Sequence, residues 1–356
     1  MGVGRSMKKH YHGLNIIRGI CAIFIVLYHY TARYNDIEFI PEHLKTNWEI
    51  TFPWGCLAVV TFFLLSGFLC NVERSGTEKT EKPVQYLRKR FIRLYPAFLV
   101  AVCLTSLVTF IWYKEAFVGV KDILLNLTML PALLKAQSVD GVYWTLQYEI
   151  IFYFIIVALL FINKPQWNKY LFNGWLAAAI AFYWIGGETG SGIIFSMIRI
   201  FLMPSYIQTF LLGIALKQIC EDKQDYWTYA MIVLSLVNHY FWQGLNSTIW
   251  LATFALLILY ITKLNPNTIL NKDNKVAKFF GWLSGISYAL YLVHQNIGYA
   301  IIQGLISIGA THEIFILIPI TVSVLLAWAI YHFIEQPIIR WSKKIRGKKK
   351  ERTISE

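Results

Sequence analysis

The chain has 356 residues, of which 56% are hydrophobic and only 15% charged, against roughly 25% charged in ordinary soluble domains. With a mean hydropathy of +0.49, it lacks the polar residues to cover a water-soluble globule. The net charge is +13, but the lysines and arginines sit beside apolar runs, as in cytoplasmic loops of membrane proteins; they point to a lipid bilayer as partner, with no nucleic acid expected.

Apolar stretches of membrane-crossing length recur from end to end. They predict an all-α, polytopic membrane protein of about ten transmembrane helices, at 14–34, 54–72, 94–113, 143–163, 171–187, 197–219, 226–243, 247–263, 282–306 and 313–336, in one transmembrane domain over 1–356. The first run carries Arg18 and His29 and no small-residue cleavage site follows it, so it is expected to stay as a helix rather than leave as a signal peptide. The run 121–134 is too short to cross and is expected at the outer interface. Of the 33 lysines and arginines, 26 fall in alternate loops and the two ends, while the opposite loops hold only Lys45, Lys114, Lys121 and Lys135. This asymmetry places both termini in the cytoplasm. Five cysteines (Cys21, Cys56, Cys70, Cys103, Cys220) form no CxxC pair, so neither a disulfide framework nor a metal site is expected.

An ionisable group within hydrocarbon costs at least about 2–3 kcal/mol, so each one asks for a partner or a task. Arg18 and His29 are eleven positions apart, about three helical turns, and therefore share a face of the first helix about 16 Å apart. Arg18 falls near the cytoplasmic side and His29 about 8 Å below the outer surface. The second span carries Phe62-Phe63-Leu64-Leu65-Ser66-Gly67-Phe68, a small-residue notch suited either to close helix packing or to a site. Arg88, Lys89, Arg90 and Arg93 crowd the mouth of the third span; they satisfy the positive-inside rule and equally suit phosphate, which guanidinium forks bind in bidentate fashion.

The fourth span begins near Trp144-Thr145-Leu146-Gln147-Tyr148-Glu149 and places Glu149 at the depth of His29. A carboxylate beside an imidazole raises its basicity, as general-base catalysis requires; a structural His–Glu or Arg–Glu pair is the other reading. The ninth span brings Ser287, Tyr288 and His294 to mid-membrane. The tenth ends at Glu335-Gln336-Pro337, where the proline is expected to stop the helix.

Taken in order, these segments resemble the acyltransferase-3 family of polytopic membrane acyltransferases that modify bacterial surface polysaccharides. The likeness runs over about 12–340, leaving a basic cytoplasmic tail at 341–356. It rests on Arg18 with His29, the aromatic Ser66-Gly67-Phe68 segment, the arginine-rich stretch 88–96, Trp144-Thr145-Leu146 with Glu149, and Ser287 through His294. Thr145 stands where the family has serine and keeps the hydroxyl.

The resemblance implies a membrane O-acyltransferase, multi-pass in the bacterial inner (plasma) membrane. It would move an acetyl group from cytosolic acetyl-CoA, a co-substrate rather than a bound cofactor, to a hydroxyl of an envelope polysaccharide, lipopolysaccharide or other glycolipid. His29 is the implied general base with Glu149 orienting it, and Arg18, Arg88, Arg90 and Arg93 the implied acyl-CoA ligands. Ser66, Trp144, Tyr148, Tyr288 and His294 are implied substrate or transition-state contacts. No esterase-like domain follows the tenth span, so the chain is expected to act alone or to hand its acyl group to another protein. The competing class is a transporter or flippase for an envelope glycan or lipid-linked sugar, which would also place Arg, His and Glu within the bilayer; the lack of an internal repeat counts against it.

Overall fold

The computed structural model describes residues 12–38, 40–70, 83–264 and 275–355, and among them there is helix and turn but no strand. In chain order the α-helices are α1 (His12–Tyr28), α2 (Gly55–Phe68), α3 (Pro83–Trp112), α4 (Val120–Asn126), α5 (Trp144–Ile162), α6 (Pro165–Trp184), α7 (Ile193–Leu202), α8 (Ile207–Cys220), α9 (Tyr226–Leu259), α10 (Lys275–Val293), α11 (Gln295–Ser307), α12 (Leu317–Ile330) and α13 (Gln336–Ser355). Three π-helical turns, His29–Arg33, Tyr260–Leu264 and Tyr331–Glu335, extend α1, α9 and α12.

Among the described residues, seven helical stretches are long and apolar enough to cross a bilayer: Gly13–Asp36, Pro83–Trp112, Gly141–Ile162, Ile193–Cys220, Tyr226–Lys263, Lys275–Val293 and Glu313–Ile345. The apolar helix Gly55–Phe68 is shorter, and the 20-residue α6 is not among the seven. The stretch Tyr226–Lys263 counts twice, because it is broken at Gly244, whose φ of 77° is non-helical. In a straight helix His239 and Ser247 would lie about 12 Å apart, yet His239 Nε2 and Ser247 Oγ are 2.9 Å apart. Thr228 and Thr262 both return to the end of α8, at Gln218 and Cys220 respectively. Residues 226–243 and 245–263 are therefore two legs of a hairpin, in agreement with the two separate spans read from the sequence.

Helices α8, α2, α1, α10 and α12 pack as successive neighbours, with α9 against α8 and α6 beyond it; α3 packs on α5, α10 and α11. The α2–α8 crossing is a backbone-to-backbone approach. A Cβ on Gly67 would strike the main chain of Phe210, and one on Gly213 would strike the main chain around Leu64 and Phe68. Small residues permit this closeness where lipid supplies no hydrophobic drive. Gly213→Val should accordingly destabilise the protein by about 1–3 kcal/mol or more, read as a lower melting temperature in detergent, whereas the same change at Gly174, whose Cβ would meet nothing, should leave it unaltered.

Several boundaries differ from the sequence reading. The span expected at 197–219 is two helices: α7 buries none of its residues while α8 buries most of its own, and Met203 between them is left-handed (φ 48°). The ninth span starts at Lys275 and bends at His294, where α10 gives way to α11. Pro337 does not end the helix, because it occupies the second position of α13, just after a π turn, where a missing N–H is tolerated. The run 121–134 is short, as expected, with one seven-residue helix, α4. The loop cations Arg74, Lys79, Lys82 and Lys272 lie outside the described residues.

Candidate active site

A cavity partly open to solvent lies among α1, α2, α3, α5 and α10, with about 770 Å³ of space between its walls that includes open solvent. Arg18 from α1 and Arg90 and Arg93 from α3 line it, together with Ser66, Glu149 and Tyr153. The spacing of three on one helix turns Arg90 and Arg93 the same way. The guanidinium of Arg90 lies over the rings of Tyr86 and Tyr153, 5.3 and 4.8 Å from their centroids, a cation–π arrangement that fixes the fork. Arg18 stands within electrostatic range of Arg93, Glu149, Tyr153 and Arg90. Three cations against one carboxylate make the cavity attractive to an anion.

Glu149 is the polar hub of the opposite wall. The Ser66 hydroxyl donates to its Oε1 at 3.2 Å, and the Tyr153 hydroxyl, four residues along α5, donates to the same oxygen. Ser66 and Tyr153 are themselves 3.3 Å apart. This corrects the expected pairing of Glu149 with His29: Glu149 is bonded to Ser66 and shares its cavity with Arg18, which lies about three helical turns from His29 along the first helix, so the two are not at one level. The notch at Ser66-Gly67 serves both readings at once, since Gly67 lets α8 approach and Ser66 faces the cavity. Tyr288 also lines the cavity and donates to the Leu94 carbonyl at 3.0 Å. Arg88 does not join the other arginines: it is exposed and off the cavity wall. Nor do Trp144 and Tyr148, whose rings pack with Phe63 and Tyr206.

His29 opens the π turn that follows α1, a local widening that re-aims side chains and is frequent at functional sites. Its Nδ1 lies 3.1 Å from the Tyr299 hydroxyl, and its ring stands edge-on to that of His294, centroids 4.9 Å apart and planes at 69°. Nδ1 of His294 is 2.9 and 3.1 Å from the carbonyl oxygens of Tyr291 and Leu290. Carbonyls only accept, so this nitrogen carries the proton. Nε2 is left a bare acceptor, and it is buried with no hydrogen-bond partner.

The two histidines are also tied through the main chain, because Tyr30, next to His29, donates its hydroxyl to the His294 carbonyl at 2.7 Å. Asp140 braces the junction by accepting the backbone N–H groups of Val142 (3.2 Å) and Asn296 (3.1 Å). Tyr291 joins the two regions: it lines the cavity, its hydroxyl is 2.7 Å from that of Thr145, and its ring centroid is 5.8 Å from that of His294.

Sequence reasoning missed Tyr153, Tyr299, Tyr30 and Asp140. Only Tyr153 had a local signal, the four-residue spacing from Glu149 that puts both on one helix face.

A helical, multi-pass membrane protein with an arginine-lined cavity beside a histidine pair is the class of protein these features define. A family model described as an acyltransferase domain, that of acyltransferase-3, matches residues 11–332, nearly the whole chain. The chain belongs to this family and is a membrane acyltransferase, which requires an acyl donor, an acceptor and the bilayer. No curated protein and no solved structure matches it.

Proposed function

We propose that the protein is an O-acetyltransferase of the bacterial inner membrane, taking acetyl from cytosolic acetyl-CoA and delivering it to a hydroxyl of an envelope polysaccharide or glycolipid. The observation that carries this reading is the convergence of Arg18, Arg90 and Arg93 on one cavity that adjoins the His29–His294 pair through Tyr291. Coenzyme A is a polyanion with a long, slender arm. Guanidiniums at the cytoplasmic half of the cavity suit its phosphates, and the arm then leads the thioester along the wall formed by Ser66, Thr145 and Tyr291 toward His29.

In this mechanism His29 takes the proton of the acceptor hydroxyl as its oxygen attacks the thioester carbonyl carbon. The C–O bond forms, the C–S bond breaks, and the departing thiolate receives the proton back from His29, so that an ester and free CoA thiol leave a neutral imidazole behind. Tyr299 holds His29 in place of the expected Glu149. Glu149 instead orders Ser66 and Tyr153, and through Tyr153 the Arg90 fork. Hydroxyls of Ser66 and Tyr288 line the same cavity and are of the kind that can stabilise a developing oxyanion.

Donor recognition is tested without an acceptor. Acetyl-CoA should raise the melting temperature of the purified protein in detergent in a saturable way, and free CoA should do the same, while pantetheine, which lacks the phosphates, should not. Equal shifts with pantetheine would remove the arginines from donor binding, and no shift with any acyl-CoA would contradict the proposal.

A further inference from the structure

We propose that Asp140 is the positioning carboxylate of this site: acting through Tyr299, it keeps the proton of resting His29 on Nδ1, leaves Nε2 bare to take the acceptor proton, and favours the imidazolium that results. This rests on His29 being the base.

Nδ1 of His29 lies 3.1 Å from the Tyr299 hydroxyl, and a hydroxyl can donate or accept. That contact by itself leaves the tautomer open. If Tyr299 donates, the ring proton sits on Nε2, which then cannot act as a base; if Tyr299 accepts, Nδ1 carries the proton and Nε2 is a lone pair. Catalysis requires the second state, in which the phenolic hydrogen is drawn away from His29. A negative charge near the phenol selects it.

Asp140 supplies that charge. It is fully buried and stands within electrostatic range of five tyrosines: Tyr30, Tyr113, Tyr143, Tyr291 and Tyr299. Three of these donate their hydroxyls to carbonyls, Tyr30 to His294 at 2.7 Å, Tyr143 to Leu292 at 3.2 Å and Tyr291 to Val142 at 2.9 Å. Tyr299 is the one bonded to an imidazole nitrogen. The main chain ties Asp140 to it: Oδ2 accepts the N–H of Asn296 at 3.1 Å, about one helical turn ahead of Tyr299 on α11, and the Asn296 side chain donates to the Val139 carbonyl at 3.0 Å.

A structural cap does not need a carboxylate. Serine, threonine or asparagine also accepts backbone N–H groups, whereas a buried charge is costly unless paired. Among the described residues no cationic nitrogen forms an ion pair with Asp140. Its two partners, the N–H groups of Val142 and Asn296, are donors, which suits an ionised carboxylate. Burial pushes its carboxyl up to about 7 despite these two bonds, so at pH 8 it is charged. The cation it lacks at rest is the imidazolium that His29 becomes during transfer. The other titratable or charged groups facing His29 are Tyr28 and Arg33 on its own helix and His294 from α10. Arg33 repels an imidazolium, which leaves Asp140, through Tyr299, as the group that favours it. An attraction present only in the charged state lowers the barrier without tightening substrate binding.

The test measures transfer of label from radiolabelled acetyl-CoA to envelope glycan by the full-length protein in its membranes, at pH 8 and pH 6, for wild type, Asp140→Asn, Tyr299→Phe and the double variant. Asparagine keeps the size and one acceptor but removes the charge. At pH 8 Asp140→Asn should lower kcat about 100-fold with donor KM within about twofold. At pH 6, where wild-type Asp140 takes up a proton, the gap should close to about tenfold. In the Tyr299→Phe background the same change should cost less than about threefold, because the relay is already broken. A gap that is equal at both pH values, or an equal cost with and without the Tyr299 hydroxyl, is the behaviour of a structural cap and would overturn the proposal. Tyr299→Phe leaves the bonds of Asp140 in place, so it carries the test alone if Asp140→Asn does not fold: its kcat should fall at pH 8 and approach wild type at pH 6, and wild-type kcat at pH 8 would refute the relay. His29→Ala assayed alongside separates the two claims: if it transfers normally the base itself is misassigned, whereas if it is inactive while Asp140→Asn is normal, only the role of Asp140 falls.

Discussion

Changing His29 to alanine should lower acetyl transfer by about 10²–10⁴, the usual worth of a positioned general base, while leaving donor affinity within about twofold. The separation of the two effects follows from position. His29 lies among Tyr28, His294 and Tyr299, and is not among the residues that line the arginine cavity. In the proposed mechanism, donor phosphates and the reacting proton are therefore handled by different groups. Initial rates at saturating acetyl-CoA, together with the concentration dependence of the thermal shift, give both quantities from one preparation. A fall in donor affinity as large as the fall in rate would mean that His29 binds rather than reacts.

Changing Arg90 to glutamine should do the converse, raising the donor KM by about 10- to 100-fold. A hydrogen bond to a charged group is worth about 1.5–3 kcal/mol, and each 1.4 kcal/mol is tenfold in affinity. Arg90 is the arginine for which this effect is best defined, because Tyr86 and Tyr153 already hold its fork; little side-chain freedom is lost when phosphate binds. Tyr153→Phe should reproduce part of the loss, since it also releases Glu149. Arg88→Gln serves as the contrast: its side chain is exposed and off the cavity wall, and donor KM should move less than threefold. A KM in Arg90→Gln equal to wild type, measured by initial rates, would place the phosphates elsewhere.

The contrast between Arg88 and Arg90 shows what sequence could and could not convey. Hydrophobic length and loop charge were sufficient for the membrane class, because a span must satisfy its own backbone and repay its burial in lipid. Even the hairpin at Gly244 was legible as two runs interrupted by polar residues and glycine. Rotation about each helix axis was not. Nor was the level of Glu149: the sequence reading set it beside His29, but it meets Ser66 in the cavity that holds Arg18, while His29 meets Tyr299 and His294. Those azimuths are set by the tertiary packing of α2, α5, α10 and α11, which no single helix encodes.

The π turn at His29 and the bend at His294 carry no pattern in composition either. Both depart from the regular 3.6-residue period on which such reading depends. The segments that resemble the acyltransferase-3 family pointed to the family but not to which of their residues touch, because a motif preserves order along the chain rather than contact.

Arg18, Arg90 and Arg93 on the cavity and His29 beside it together make one claim, that acyl groups pass from a cytosolic coenzyme A thioester to an envelope hydroxyl within this helical bundle. The most direct measurement is transfer of radiolabelled acetyl from acetyl-CoA to cell-envelope glycan in membranes containing the protein, set against membranes holding His29→Ala at the same level. Label that appears in glycan with the wild type and falls at least 100-fold in the variant is the result expected here. Glycan translocation without consumption of acetyl-CoA, or any other acyl-CoA supplied, would contradict it.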